Sequence, residues 1–235
     1  MDFKLSFIWD KLPDVIAAIP MTLFLTAFPV IVGAVIGFFL ALLRIKKPPV
    51  IYQLTGLYIS FFRSVPLIIL LFCSYYGIPK LSNFVIYGGN RVLGVTGLSP
   101  LAVALIVLTL YASAYITELI RGALSSVDMK QMEAAHSVGM TKKDSYMRII
   151  IPQAIIVALP NYFNFSLSTL KNTSVVFTIS VMDMMATAKL AAEDGYRFIE
   201  AYVLVGILYV IIGFITEKIF KKVERNAKRN MGIES

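Results

Sequence analysis

The residues in this sequence that could do chemistry are polar side chains set inside long apolar runs. The clearest is the succession Lys171-Asn172-Thr173-Ser174, preceded by Asn161 and Asn164 in the same run. An ammonium among amide and hydroxyl groups can hold a carboxylate. It can equally make hydrogen bonds between helices. Four consecutive polar residues cannot share one face of a helix. The run therefore favours a break or bend, which a bilayer tolerates only where the backbone lines a cavity or is buried in protein. Arg63 stands in a second apolar run, and Glu118 lies near the end of a third, within reach of Arg121 or water. The candidate solute-binding residues are Lys171, Asn172, Thr173, Ser174, Arg63 and Asn164.

Other chemistries are excluded by what the sequence lacks. His136, the single histidine, lies in a charged linker, so neither a Ser-His-Asp set inside the apolar runs nor a histidine metal site can be assembled. Cys73 is the only cysteine and cannot form an internal disulfide. No Gly-x-x-x-x-Gly-Lys-Ser/Thr pattern occurs, so no cofactor site for ATP is expected on this chain.

The elements that must position these residues are membrane spans. Of 235 residues, 58% are hydrophobic and 15% charged. Soluble domains carry about 25% charged residues, enough to wet their surface. Mean hydropathy is +0.77. A spanning helix needs about 20 mostly apolar residues, and five runs qualify. They extend from Val15 to Leu43, Leu54 to Tyr76, Ser99 to Ile120, Val157 to Met182 and Phe198 to Ile219. Pro20 and Pro29 mark the entry and a kink of the first. The first 13 residues lack a basic stretch leading into an apolar core, so the first run reads as a retained span rather than a cleaved signal.

The net charge of +8 is explained by position. Basic residues flank the apolar runs without the aromatic interleaving of a nucleic-acid surface, so no nucleic acid partner is expected. Lys and Arg collect on the cytoplasmic side of membrane proteins. With five spans and the first linker inside, fourteen of the 22 fall on the inner side, including Arg44, Arg121 and the tail Lys218–Arg229. Six fall outside: Lys4, Lys11, Lys80, Arg91, Lys189 and Arg197. The N-terminus is then outside and the C-terminus inside. The basic tail is placed to touch anionic lipid headgroups. The outer loop from Gly77 to Leu98, rich in Gly and Asn, reads as irregular.

The cytoplasmic loop from Arg121 to Pro152 is the most informative segment. Glu133, Ala134 and Ala135 favour helix. Gly139 suits a left-handed C-terminal position. Thr141 followed by Asp144 forms a variant capping box. The loop should hold a short helix, a glycine turn and a second short helix leading into the fourth span. Its small side chains would let that first helix seat in another protein's groove, although an ordinary ordered loop has the same signature.

This segment, with Ile149 and Pro152 downstream, resembles the Glu-Ala-Ala loop of bacterial ABC importer permeases. Phe62-Arg63-Ser64-Val65-Pro66-Leu67, Glu118-Leu119-Ile120-Arg121-Gly122 and Ile151-Pro152-Gln153-Ala154 resemble stretches of the polar amino acid permeases within that family. The resemblance covers roughly Thr22 to Glu224. It implies an all-α integral membrane fold, the five-span type I importer permease, and a transport subunit that is not an enzyme. It implies coupling through Glu133, Ala134, Ala135, Gly139 and Met140 to a separate ATPase dimer, which binds ATP and Mg. An extracellular solute-binding protein and a second permease copy or paralogue complete the implied assembly in the bacterial cytoplasmic membrane. The surroundings of Lys171 look most like permeases for cystine and related sulfur amino acids, which carry Asp where this chain has Asn172. The alternative from another class, an autonomous secondary transporter or channel, lacks the paired halves common there.

Overall fold

The computed structural model describes residues 3–87, 98–193 and 195–230. Arg91, counted above on the outer side, and the rest of 88–97 lie outside the described residues. Eleven α-helices follow one another among those described: α1 (Leu5–Ala17), α2 (Ile19–Lys46), α3 (Pro49–Ser64), α4 (Leu67–Phe72), α5 (Ile78–Tyr87), α6 (Pro100–Ser126), α7 (Lys130–Ser137), α8 (Lys142–Ser145), α9 (Ile151–Asn172), α10 (Met184–Glu193) and α11 (Phe198–Asn230). A π turn at Cys73–Gly77 joins α4 to α5, another at Tyr146–Ile150 joins α8 to α9, and a 3-10 segment, Thr173–Ile179, follows α9.

Among the described residues, four helical stretches are long and apolar enough to cross a bilayer: Ile19–Lys46, Pro100–Ser126, Lys142–Ile179 and Phe198–Arg229. A fifth crossing exists only if the pair Pro49–Ser64 and Leu67–Leu81, bent by 108°, is one broken span. The run expected from Leu54 to Tyr76 is thus an elbow of two helices rather than one continuous helix. Pro66 supplies the reason, since the residue before a proline is pushed out of the helical region. Val65 is extended at φ −86°, ψ 128°.

Other boundaries also shift. Residues 15–17 belong to α1, and α2 starts after Ala18 with Pro20 in its first turn, where a missing N–H costs nothing. Ser99 caps α6, its hydroxyl accepting from the Ala102 N–H at 3.2 Å, and α6 continues past the expected Ile120 to Ser126. The loop after Gly77 is helical through Tyr87, with Pro79 in the first turn. The tail beyond Ile219 continues α11 to Asn230, supported by Lys221–Glu217 at 2.6 Å and Lys228–Glu224 at 3.0 Å, both i,i+4 pairs.

The centre of the fold is the α2–α6 contact. A Cβ on Gly33 would lie 2.8 Å from Ala112 Cβ and 3.0 Å from the Ser113 nitrogen, and one on Gly37 3.1 Å from the Ser113 carbonyl oxygen. Two glycines four residues apart let the helix backbones touch, as small residues do throughout membrane interiors. Leu25, Leu70, Leu71, Val107 and Leu108 close one core beside this seam. Val15, Leu170, Met184, Ala201 and Leu204 close a second, which gathers α1, α10 and α11 around the end of α9.

Replacing Gly33 by Val should overpack this seam and cost about 1–3 kcal/mol, read as a lower thermal midpoint in detergent. Gly122→Ala, where a Cβ meets nothing within 4 Å, should leave the midpoint level or raise it.

Candidate functional site

Helix α9 has two sides of different character. Phe163, Ser166, Thr169 and Leu170 are buried, fixing its rotation. Asn161, Asn164, Ser168 and Lys171 are all exposed. Their spacing of three and four residues puts them on one face, a polar stripe of roughly 15 Å at 1.5 Å per residue. Such a stripe on a spanning helix requires water or a polar partner opposite it. Asn164 opens onto a cavity of about 280 Å³ between α9 and α11, shared with Pro160, Glu217 and Lys221.

The polar run splits where the helix changes. Lys171 and Asn172 are the last two residues of α9, so Lys171 stands at a helix end rather than at the middle of a uniform span. Thr173 is buried, its hydroxyl donating to the Leu170 carbonyl at 2.8 Å. Ser174 donates to the Lys171 carbonyl at 2.7 Å. The structure therefore aligns Lys171 with Asn164 along α9 and turns Thr173 into the protein. Sequence reasoning does not pick out Asn161 and Ser168 as site residues. Their spacing to Asn164 and Lys171 is the available signal, but the buried face that sets the phase is not visible in it.

Arg63 lies in the last turn of α3, just before the elbow, and is exposed. Its guanidinium lies 5.4 Å from the centre of the Tyr115 ring, and the Tyr115 hydroxyl donates to the Arg63 carbonyl at 3.4 Å. Tyr115 stacks on Phe165 of α9 at 5.4 Å. An aromatic bridge thus links Arg63 to the polar helix. Nearer the C-terminal end of α6, Arg121 pairs with Glu118 at 2.7 Å, and Arg44 of α2 approaches the other Glu118 oxygen at 3.8 Å. Arg44 also caps the Tyr52 ring at 4.2 Å and donates to the Tyr52 carbonyl at 3.2 Å. Glu118 thereby ties α2 and α6 together, with α3 held through Arg44.

The loop between α6 and α9 has the expected order: α7, a glycine turn, α8. Gly139 adopts φ 83°, and the Met140 N–H returns to the Ala135 carbonyl at 3.0 Å. Thr141 caps α8, accepting from the Asp144 N–H at 3.1 Å. Glu133, Ala134 and Gly139 face outward with Val138, while Ala135 is buried. Gln131 and Gln153 pair through both amides at 3.2 and 2.6 Å, fastening α7 to the start of α9. Met132, Val127, Ile150 and Ala154 pack beneath them. The loop is therefore a braced unit whose outward face carries Glu133, Ala134, Val138 and Gly139.

Asp183, beyond the 3-10 segment, is not among the site residues expected from the sequence. It is fully buried and caps α10, accepting from the Ala186 N–H at 2.8 Å. Its other oxygen has no partner among the described residues. Burial pushes its carboxyl up to about 6, against the opposing pull of the Ala186 and Met185 N–H groups.

Comparison with known proteins gives consistent relatives. Residues 33–229 match the family described as binding-protein-dependent transport system inner membrane component. The L-cystine transport system permease protein TcyL of Bacillus subtilis is 35% identical over 228 residues, covering 97% of this chain and 93% of that protein. The probable amino-acid permease protein YxeN of the same organism is 41% identical over 210 residues, 89% of each. A crystal structure of an amino acid ABC transporter with histidines superposes with a TM-score of 0.83 at 28% identity, covering 96% of this chain and 100% of that one. The MetNI methionine ABC transporter, at 19% identity and TM-score 0.70, shares the fold.

A carboxyl whose folded value exceeds its ordinary one stabilises the fold at low pH and loses that contribution as the pH rises through the folded value. Wild type should therefore lose thermal stability between pH 4 and about 6 relative to Asp183→Asn, which keeps an acceptor for Ala186. Parallel melting curves of the two proteins across that range check this.

Proposed function

The chain belongs to the family of binding-protein-dependent transport system inner membrane components, and from that premise we propose that it moves an amino acid inward by alternating access as one permease of an ABC importer. Its place is the bacterial plasma membrane, and its relatives are permease proteins rather than enzymes. The observation that carries the reading is the polar stripe of α9. A chain that crosses a bilayer can leave Asn161, Asn164, Ser168 and Lys171 exposed on one face only if that face looks onto water or a polar surface, and a solute path supplies both. With a second copy or a paralogue opposite, the stripe and Arg63 would line that path. Lys171 and Arg63 supply the positive charge a substrate carboxylate needs. Thr173 contributes by holding the helix end rather than by touching solute.

We place the N-terminus outside and the C-terminus inside, supported by the clustering of basic residues at Arg44, Arg121 and along the last turns of α11. The outward face of α7, with Glu133, Ala134 and the Gly139–Met140 turn, is then the docking surface for an ATPase dimer that holds ATP and Mg. The brace from Gln131 to Gln153 would carry its movement into α9. An extracellular binding protein would deliver the solute. Asn172 adds no negative charge beside Lys171, which disfavours a strongly cationic substrate. The likeness to a cystine permease is what favours L-cystine or a related sulfur amino acid, against the departure at Asn172.

Reconstitution with its ATPase and binding protein should give ATP-dependent uptake. Uptake driven by an ion gradient without ATPase would overturn the reading. A thermal-shift screen of the binding protein against amino acids, cystine included, identifies the substrate. Lys171→Ala should lower uptake at least about tenfold, the loss expected for one charge-assisted contact of roughly 1.5–3 kcal/mol. Wild-type affinity and rate in that variant would remove Lys171 from the path. Ala134→Trp, at an exposed position, should leave the thermal midpoint unchanged while abolishing stimulated ATP hydrolysis.

A further inference from the structure

Helix α1 has three faces instead of the usual two. Ile8, Leu12 and Val15 pack into the core formed with α10 and α11. At 100° per residue, Leu5, Trp9 and Ile16 fall within about 40° of one another beside that buried face, yet they are 64%, 70% and 44% exposed. Ser6, Asp10 and Asp14 occupy the remaining side and are also exposed. The helix is anchored rather than dangling. The Lys4 N–H donates to Glu200 Oε1 at 3.1 Å, and Arg197 holds the same carboxylate oxygen at 3.0 Å.

We propose that α1 is a membrane-surface helix whose Leu5-Trp9-Ile16 stripe is buried in the headgroup and acyl boundary of the bilayer. One residue, Ala18, separates α1 from the spanning helix α2, so the stripe starts within reach of the bilayer surface. Exposed apolar residues continue past the junction as Leu23, Ile31, Val35 and Phe38. Trp9 is the chain's only tryptophan, the residue type that most favours the membrane–water interface. Ser6, Asp10 and Asp14 would then face water, as the polar side of an interfacial helix does. Phe3, Tyr196 and Ile199 border the start of α11 and extend the same apolar and aromatic rim. This placement needs only a membrane protein, and it stands whether or not the solute is an amino acid.

The test places single cysteines at Leu5, Trp9, Ile16, Ser6, Asp10 and Asp14 in a Cys73→Ser background. Each carries a nitroxide label in the assembled transporter, reconstituted in phosphatidylcholine–phosphatidylglycerol vesicles. Collision rates with oxygen, enriched in lipid, and with a nickel chelate, confined to water, are compared. The first three sites should favour oxygen and the last three nickel. Nickel access at all six would place the helix in water and overturn the proposal. Shielding of the first three from both reagents would mean that protein, a second copy or the binding protein, covers the stripe, and would overturn it equally. Trp9 of the natural chain gives an independent reading. Its emission, isolated by subtracting the Trp9→Phe assembly, should be quenched by lipids brominated near the headgroup, and absence of that quenching contradicts the placement.

Discussion

The fold depends on two glycines meeting one helix. In lipid no hydrophobic effect draws apolar helices together, so contact must come from close packing. Gly33 and Gly37 let α2 settle onto Ala112 and Ser113 of α6. Everything that registers along α6 then falls into place. Arg44, farther along α2, arrives beside Glu118. Tyr58 of α3 reaches the Leu110 carbonyl at 2.8 Å, and Arg63 in the last turn of the same helix lies beside Tyr115. A slip of one turn between α2 and α6 would separate the ion pair.

A second principle sorts the polar residues. Most hydroxyls in the long helices are spent locally, bonding a carbonyl one turn back. Thr26, Thr117, Ser166, Thr169 and Thr216 all do this at 2.6–2.9 Å. They cost little in lipid because they are already satisfied. Ser168 is different: exposed on the stripe, it makes no such bond among the described residues. Asn161, Asn164 and Lys171 have groups that reach farther than a local carbonyl. A polar residue in a spanning helix is thus informative chiefly when its own backbone does not absorb it.

What could be read from the sequence follows from how local each signal is. The loop between α6 and α9 was legible in detail because Gly139, Thr141 and Asp144 act within a few residues of themselves. The elbow at Val65–Pro66 was also written locally, in the proline, although hydropathy averages over it and marks one apolar run. Hydropathy likewise stops at Ile219, where α11 does not, because charged side chains in i,i+4 pairs keep a helix wound in water. The stripe on α9 was only half visible. Its residues lie in plain order, but the rotation that exposes them depends on Phe163 stacking on Phe220 at 4.3 Å and Tyr162 lying against Val30, partners far away along the chain. Asp183 was hidden for the same reason: its burial comes from neighbours that sequence order does not reveal.

The length of α11 sets a geometric requirement on whatever lies beside it. Its 33 residues at 1.5 Å each reach about 50 Å, whereas the hydrocarbon layer is about 30 Å thick. Tilt can absorb part of the difference, but the charged residues from Glu217 onward need water or lipid headgroups. The end of this helix must therefore stand clear of the hydrocarbon as a rigid post. Its height fixes how near any bulky soluble body can approach that side of the membrane, and any partner that binds the loop must be shaped to pass it.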